Sequence, residues 1–197
     1  MTSSLKIAVI LGSVRPNRFG DKPAKWITQY AKEKIDGADV ELLDLKDYPM
    51  PFFEEAMGPS MLGKKYGNDV VKKWSAKIDA ADAFIIVTPE YNHSTSGVLK
   101  NALDQLFPEW NRKPVGFVSY GGVGGARAVE HLRQIAVELE MASVRTGVHI
   151  PGNILFPILG GQAQWDAATE EKLKPNADKM LAELSWWSRA LKAARST

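Results

Sequence analysis

The chain has 197 residues, of which 45% are hydrophobic and 24% charged, a composition that suits one folded domain over residues 1–197 and excludes a disordered or fibrous class. It contains no cysteine, so disulfides, thiolate chemistry and thiolate-held metal clusters are excluded, and any redox work needs a borrowed cofactor. A net charge of +2 with scattered lysines and arginines gives no electrostatic footprint for nucleic acid or an anionic membrane, which leaves small molecules as the expected ligands.

Leu5 to Leu11 form an apolar run interrupted only by Lys6, the pattern of a strand buried on both faces. The run is too short for a signal segment or a membrane span, so a cytoplasmic location is the default expectation. After a turn from Gly12 to Gly20, Asp21 can cap a helix with Pro23 in its first turn and an apolar stripe at Ala24, Ile27, Ala31 and Ile35. A second strand fits Val40 to Leu45, a helix fits Asp69 to Ala80, and a third strand fits Ala83 to Thr88. Further on, the pattern predicts a helix from Ser96 to Phe107, a strand from Pro114 to Ser119, a helix from Gly125 to Met141 and a fifth strand from Val144 to Ile150. A last helix is read from Leu173, Ala177, Met180, Leu184, Trp187 and Leu191, with Pro175 in its first turn or at a kink.

Strands alternating with helices imply an α/β fold with a parallel, doubly wound sheet. Five strands at this spacing match the flavodoxin-like order 2-1-3-4-5, whose ligand crevice lies between strands one and three. The loops that follow the strands are therefore the place to look for chemistry. Tyr48 to Gly67 is the one long irregular stretch, and its Phe52, Phe53, Met57 and Met61 suggest a lid, a subunit interface or a loop folded back on its own domain.

The loop after strand one, Gly12-Ser13-Val14-Arg15-Pro16-Asn17-Arg18-Phe19-Gly20, offers a hydroxyl, two guanidinium groups, glycines for close approach and a following helix N-terminus. That set suits a phosphate monoester. Charge-assisted hydrogen bonds of roughly 1.5–3 kcal/mol each from Ser13, Arg15 and Arg18 would supply much of a micromolar affinity. Other phosphate loops fit poorly: no Gly-x-x-x-x-Gly-Lys-Ser/Thr occurs, and Asp44 lies well beyond the roughly 20 residues at which a ribose-binding acid is expected. After strand three, Pro89-Glu90-Tyr91-Asn92-His93-Ser94 carries a proline, a carboxylate, a ring and an amide in succession, which suggests a flat, polar-edged ligand. After strand four, Ser119-Tyr120-Gly121-Gly122-Val123-Gly124-Gly125 presents backbone N–H groups that a planar ring could approach. His93 reads as a surface or packing residue more readily than as a proton donor, and His131 and His149 have no metal-site spacing.

Together with Leu99-Lys100-Asn101-Ala102-Leu103-Asp104 and Arg127-Ala128-Val129-Glu130-His131-Leu132-Arg133, these loops resemble the NAD(P)H-dependent FMN reductase family. The resemblance implies a flavodoxin-like fold, noncovalent FMN, and transfer of electrons from NADPH or NADH to flavin, quinone or a similar small-molecule acceptor. By position, Ser13, Arg15, Asn17 and Arg18 would hold the FMN phosphate. Pro89, Glu90, Tyr91, Asn92, Ser119, Tyr120, Gly121 and Gly122 would border the isoalloxazine, with the Gly121 and Gly122 N–H groups aimed at the reduced ring and no catalytic acid, nucleophile or metal required. The resemblance also implies a homodimer or homotetramer with flavin near the interface. Two positions depart from the family pattern: Asn17 stands where glycine is common, and Ser96 where proline often precedes Gly97. Asn tolerates a left-handed backbone and Ser caps helices, so neither departure conflicts with the rest. A flavodoxin-type electron carrier is the alternative, though such carriers resemble strongly acidic proteins with hydroxyl-rich phosphate loops.

Overall fold

The apolar runs become the strands of one parallel sheet in a computed structural model that describes residues 4–196. In chain order these are β1 (Lys6–Leu11), β2 (Asp39–Asp44), β3 (Ala83–Pro89), β4 (Pro114–Tyr120), β5 (Ala142–Ser143) and β6 (Val148–Ile150). The spatial order is β2-β1-β3-β4-β5, with β6 also paired to β4. This is the flavodoxin-like arrangement, and all the pairings are parallel. The helices are α1 (Asp21–Lys34), α2 (Asp69–Ala80), α3 (Gly97–Asp104), α4 (Ala126–Glu138), α5 (Gly152–Leu159) and α6 (Ala167–Arg195). Among the described residues, no helix is long and apolar enough to cross a membrane.

Side chains alternate across a strand, so each central strand feeds two cores. Val9, Leu11, Ile85, Val87 and Val118 pack against α1 and α6 through Ala24, Ile27, Ala31, Ala177, Met180 and Leu184. From the other face Ile10, Phe84, Ile86 and Phe117 meet Trp74, Ile78, Leu99, Leu103, Val129 and Leu132. Both faces of the sheet are covered by helices, which is why β1 and β3 read as continuous apolar runs rather than as alternating ones.

Several boundaries differ from the sequence expectation for local reasons. Of the strand predicted from Val144 to Ile150 only β6 forms, with the two-residue β5 just ahead of that range, because Arg133 donates to Ser143 Oγ, Val144 O and Arg145 O and so occupies carbonyls between β5 and β6. Helix α3 stops at Asp104 instead of Phe107. Pro108 disfavours helix in the residue before it, and the Trp110 indole N–H donates to Leu103 O at 3.2 Å, satisfying a terminal carbonyl. Helix α4 ends in a six-to-one closure from Met141 N–H to Ala136 O at 2.8 Å, with Glu140 at φ +54° supplying the left-handed residue. Asp21 is the first residue of α1 rather than its cap; Gly20 holds the cap position and the Asp21 carboxylate accepts from Arg18. Helix α6 begins well before its apolar stripe, at an Asp166 cap, which places Pro175 inside the helix instead of in its first turn. Helix α5 has no counterpart in the sequence expectation.

The Tyr48 to Gly67 stretch folds back on its own domain. Leu62 and Tyr66 are buried in the core over α2 and α3, with Tyr48, Met50 and Phe53 packed against it. Asn101 of α3 and Gln105, which caps it, both donate to Pro51 O, at 2.9 and 2.8 Å. Phe52, Met57 and Met61 remain exposed.

Candidate functional site

The C-terminal ends of β1, β3 and β4 meet at one edge of the sheet, where the loops after them enclose a cavity of about 350 Å³. Its walls include Arg15, Asn17, Arg18, Phe19, Pro89, Glu90, Tyr91, Tyr120, Gly121 and Gly122, with Leu155, Phe156 and Leu159 of α5 closing one side.

The loop after β1 is held by its first glycine. A Cβ on Gly12 would lie 2.8 Å from Leu99 Cδ2 and 3.1 Å from Val87 O, while Ser96 Oγ donates to Gly12 O at 2.5 Å and caps α3 by accepting from Leu99 N–H. Asn17 takes φ +51°, the left-handed conformation that its residue type tolerates. The backbone N–H groups of Ser13, Val14, Arg15 and Asn17 meet no protein acceptor among the described residues. Such a row of free donors ahead of a helix N-terminus is an anion cradle. Arg15 stands beside it with its guanidinium over the Tyr91 ring, 5.8 Å from the centroid.

Arg18 behaves differently from Arg15. Its guanidinium donates to Asp21 Oδ1 through Nε at 2.7 Å, to both Asp44 oxygens and to Ser13 O. Burial would lower the Arg18 pKa, but its hydrogen bonds to Asp44 and Asp21 raise it instead. For Asp44, burial works upward and is outweighed by Arg18 and the Lys46 N–H, so its carboxyl titrates below the ordinary value. One cation facing two carboxylates attracts no dianion, so Arg18 braces the loop and Arg15 is left as the loop's uncompensated charge. Ser13 is also largely internal: it is buried, and its Oγ lies 3.3 Å from the Tyr91 hydroxyl.

The loop after β3 is a two-residue hairpin turn. Tyr91 and Ser94 exchange backbone hydrogen bonds at 2.8 and 3.1 Å, with Asn92 and His93 both at positive φ, the type I′ geometry in which Asn is favoured. Asn92 therefore sits at the tip of the turn and does not line the cavity. The Glu90 side chain is 5% exposed and held by Arg127, through Nε at 2.7 Å and the backbone N–H at 3.1 Å. This carboxylate locks the β3 loop to the start of α4 and is not free to act as a base. Arg127 Nη1 also lies 2.6 Å from His93 Nε2. Guanidinium has only donors, so that imidazole nitrogen accepts and has no proton to give.

The loop after β4 turns through Gly121 to Gly125. Gly121 N–H points back to Ile150 O at 3.4 Å and Gly152 N–H donates to Gly122 O at 3.2 Å, so Gly121 is directed into the sheet while the Gly122 N–H has no acceptor among the described residues. Ser119 lies beneath the turn, fully buried. The Tyr120 ring is walled in by Phe19 at 5.1 Å and by Gly20, whose Cβ would come within 2.7 Å of the hydroxyl. Burial, first among its causes, pushes the Tyr120 phenol well above its ordinary value.

A family model described as NADPH-dependent FMN reductase matches residues 5–153. The chain belongs to that family. An NAD(P)H-dependent FMN reductase of Schizosaccharomyces pombe is 42% identical over 69% of this chain and 68% of its own length. One from a Nectria species is 35% identical over 95% of this chain and 92% of its own length, and an NAD(P)H:quinone oxidoreductase of Solanum tuberosum is 34% identical over 70% of each chain. Among solved structures, FerB of Paracoccus denitrificans, a flavoenzyme NAD(P)H:(acceptor) oxidoreductase, superposes with TM-score 0.71 at 21% identity, covering 91% of this chain and 97% of that one. That likeness shows the fold.

The cavity fits FMN on its own features: free N–H groups with Arg15 beside them suit the phosphate, and Tyr91, Tyr120, the glycine turn and Phe156 supply aromatic and side-chain-free walls for the ring. Arg15, Asn17, Arg18, Pro89, Glu90, Tyr91, Tyr120, Gly121 and Gly122 line it, while Ser13 and Ser119 lie behind the wall. Leu155, Phe156 and Leu159 are lining residues with no counterpart in the sequence expectation, and Phe19 lines the cavity without a role assigned to it there. Phe19 lies inside the Gly12 to Gly20 loop, whereas the α5 residues carry no periodic signal. Among the described residues, no group of three or more His, Asp or Glu is placed to hold a metal ion.

Proposed function

We propose that this FMN reductase family member is an FMN-dependent oxidoreductase that takes hydride from NADPH or NADH and passes electrons to a quinone, free flavin or similar small acceptor. Bound FMN supplies the hydride-accepting and electron-donating chemistry. The chain's part is to bind and orient: the Ser13 N–H, Arg15 and Asn17 form the phosphate end of the site with Arg18 bracing their loop, Pro89 to Tyr91 and Tyr120 to Gly122 frame the ring, and Asn92 and Ser119 shape the turns behind that frame. The observation that carries this reading is the cavity that joins an anion cradle to aromatic and glycine walls at the switch point of the sheet.

The domain comprises residues 1–197, and the protein works in the cytoplasm as a homodimer or homotetramer, without nucleic acid or membrane partners. The quinone and FMN reductase names of its relatives support the acceptor class. Purified protein mixed with FMN should quench flavin fluorescence at one equivalent per chain and oxidise NADPH or NADH when a benzoquinone is added. Flavin binding without NAD(P)H oxidation would favour the electron-carrier alternative, and absence of flavin binding would overturn both. Sedimentation as a monomer at assay concentration would remove the oligomer.

A further inference from the structure

Ser119 and His149 are register partners on β4 and β6. Both side chains project to the face opposite Val118, Val148 and Ile150, beneath the glycine turn. Ser119 Oγ donates to Gly124 O at 2.7 Å and lies 2.8 Å from His149 Nδ1. A hydroxyl has one proton, and with that proton directed to Gly124 O, Nδ1 must be the donor to Ser119 Oγ. The second imidazole nitrogen is then the basic one. It lies beside Gly147, whose Cβ would come within 3.0 Å of Nε2, and the ring is only part buried. The ring also supports the turn by contact: a Cβ on Gly124 would lie 3.0 Å from His149 Cβ. The relay from His149 through Ser119 to Gly124 thus fixes the turn that carries Gly122, a residue of the cavity wall whose N–H has no acceptor among the described residues.

We propose that His149 is a positioning residue for the ring-binding turn, acting through Ser119, and that its charge couples the redox state of bound flavin to pH. The proposal rests on the FMN reading and extends it to a residue outside the cavity wall. A neutral His149 holds the turn as described; a second proton at Nε2 puts a positive charge beneath the turn while Nδ1–H still donates. That charge favours the anionic reduced ring over the neutral oxidised one, and by reciprocity reduction draws the proton onto His149. Burial, the largest influence, lowers the His149 pKa from its ordinary 6.5, so the charge appears at lower pH than on a free imidazole. The charged groups that face the ring are Arg133 and Glu130, both from α4 and opposed in sign; β4 and the glycine turn present only the Ser119 hydroxyl and backbone.

The test has an arm without flavin. In the apo protein, nitrogen-15 NMR should find His149 as the Nδ1–H tautomer, and Ser119→Ala should relax that preference; an Nε2–H tautomer in the wild type would overturn the relay. With FMN added, His149→Asn keeps a donor near the Nδ1 position and cannot titrate, whereas His149→Phe keeps the ring and loses the donor. His149→Asn should bind FMN within about twofold of wild type and His149→Phe about tenfold more weakly, a difference that rescue by the donor separates from loss of ring volume. At about pH 8 the wild-type and His149→Asn midpoint potentials should coincide, and at about pH 5 the wild type should lie higher by about 30 mV, a tenfold preference for reduced flavin. Equal potentials at both pH values, or equal FMN affinity in the Asn and Phe variants, would overturn the proposal. No FMN binding by wild type, with the tautomer as expected, would instead overturn the FMN reading.

Discussion

The two arginines of the β1 loop share a motif but differ in surroundings, and they should fail differently. Arg15→Ala removes the uncompensated cation beside free N–H groups, so FMN affinity should fall about 10- to 100-fold at unchanged thermal stability, the loss expected for one or two charge-assisted hydrogen bonds. Flavin titration alongside a melt checks this; a matching drop in melting temperature would assign Arg15 a structural role. Arg18→Met leaves Asp44 and Asp21 without their shared partner. Because Asp44 is part exposed and can recover some hydration, the cost should be about 2 kcal/mol rather than the larger penalty of a fully buried orphan. Denaturant unfolding that showed no loss would mean the carboxylates find water easily. The sequence makes Arg15 and Arg18 look equivalent, because Arg18 meets its carboxylate partner only where β2 ends beside β1, at Leu11 and Asp44. Spacing argues against Asp44 as a ribose ligand, and its use in bracing the β1 loop is a tertiary fact that no local pattern carries.

At the level of elements, the glycine turn and α5 contrast in how openly the sequence announces them. The turn is legible because four glycines in five positions are a strong local signal, and Gly125 shows why: it sits at φ +75°, and a Cβ there would lie 2.7 Å from Ser119 Cβ and 2.8 Å from Tyr120 N. Gly125→Ala therefore combines backbone strain with a backbone clash that no rotamer change relieves, and should cost about 2 kcal/mol or more and weaken FMN binding beyond tenfold. An alanine variant with wild-type melting temperature would place the clash elsewhere. Helix α5 is illegible because it is short, apolar on nearly every side and contains Pro157, so it shows neither the helical period nor a clean start. Its Phe156 and Leu159 stay exposed at the cavity mouth. The central strands β1, β3 and β4, by contrast, follow directly from burial on both faces, and the fifth departs from its pattern where Arg133 takes the carbonyls beside a break.

Across the whole molecule the sheet separates function from anchoring by its two edges. The ligand-facing loops leave the C-terminal ends of the strands, while at the opposite end Asp82 gathers the chain termini: it accepts from Lys6 N–H at 3.0 Å, Lys192 Nζ at 2.7 Å and Arg195 Nη2 at 3.1 Å. Asp82→Ala should lower stability by about 1–2 kcal/mol, since Lys192 and Arg195 can turn to solvent, and leave FMN affinity within about twofold; a larger loss of affinity would mean the edges are coupled. Lys113 at the same edge offers a pH test. It is buried, and its Nζ donates to Ile78 O and Asp79 O at 2.8 and 2.9 Å, closing the last turn of α2. Burial lowers its pKa from 10.5 to about 8. Below the lowered value the ammonium is charged in both states and the cost of burying it is fully present. As pH rises from about 8 towards 10.5 the folded state gives up its proton while the unfolded chain keeps it, so stability should increase across that window by about 3 kcal/mol. Lys113→Met should abolish that rise, measured as the wild-type minus variant unfolding free energy at several pH values, while FMN affinity in the two proteins stays parallel. A wild-type stability that falls through this window as steeply as the variant's would show that Lys113 keeps its proton in the fold, held by the two carbonyls that it caps.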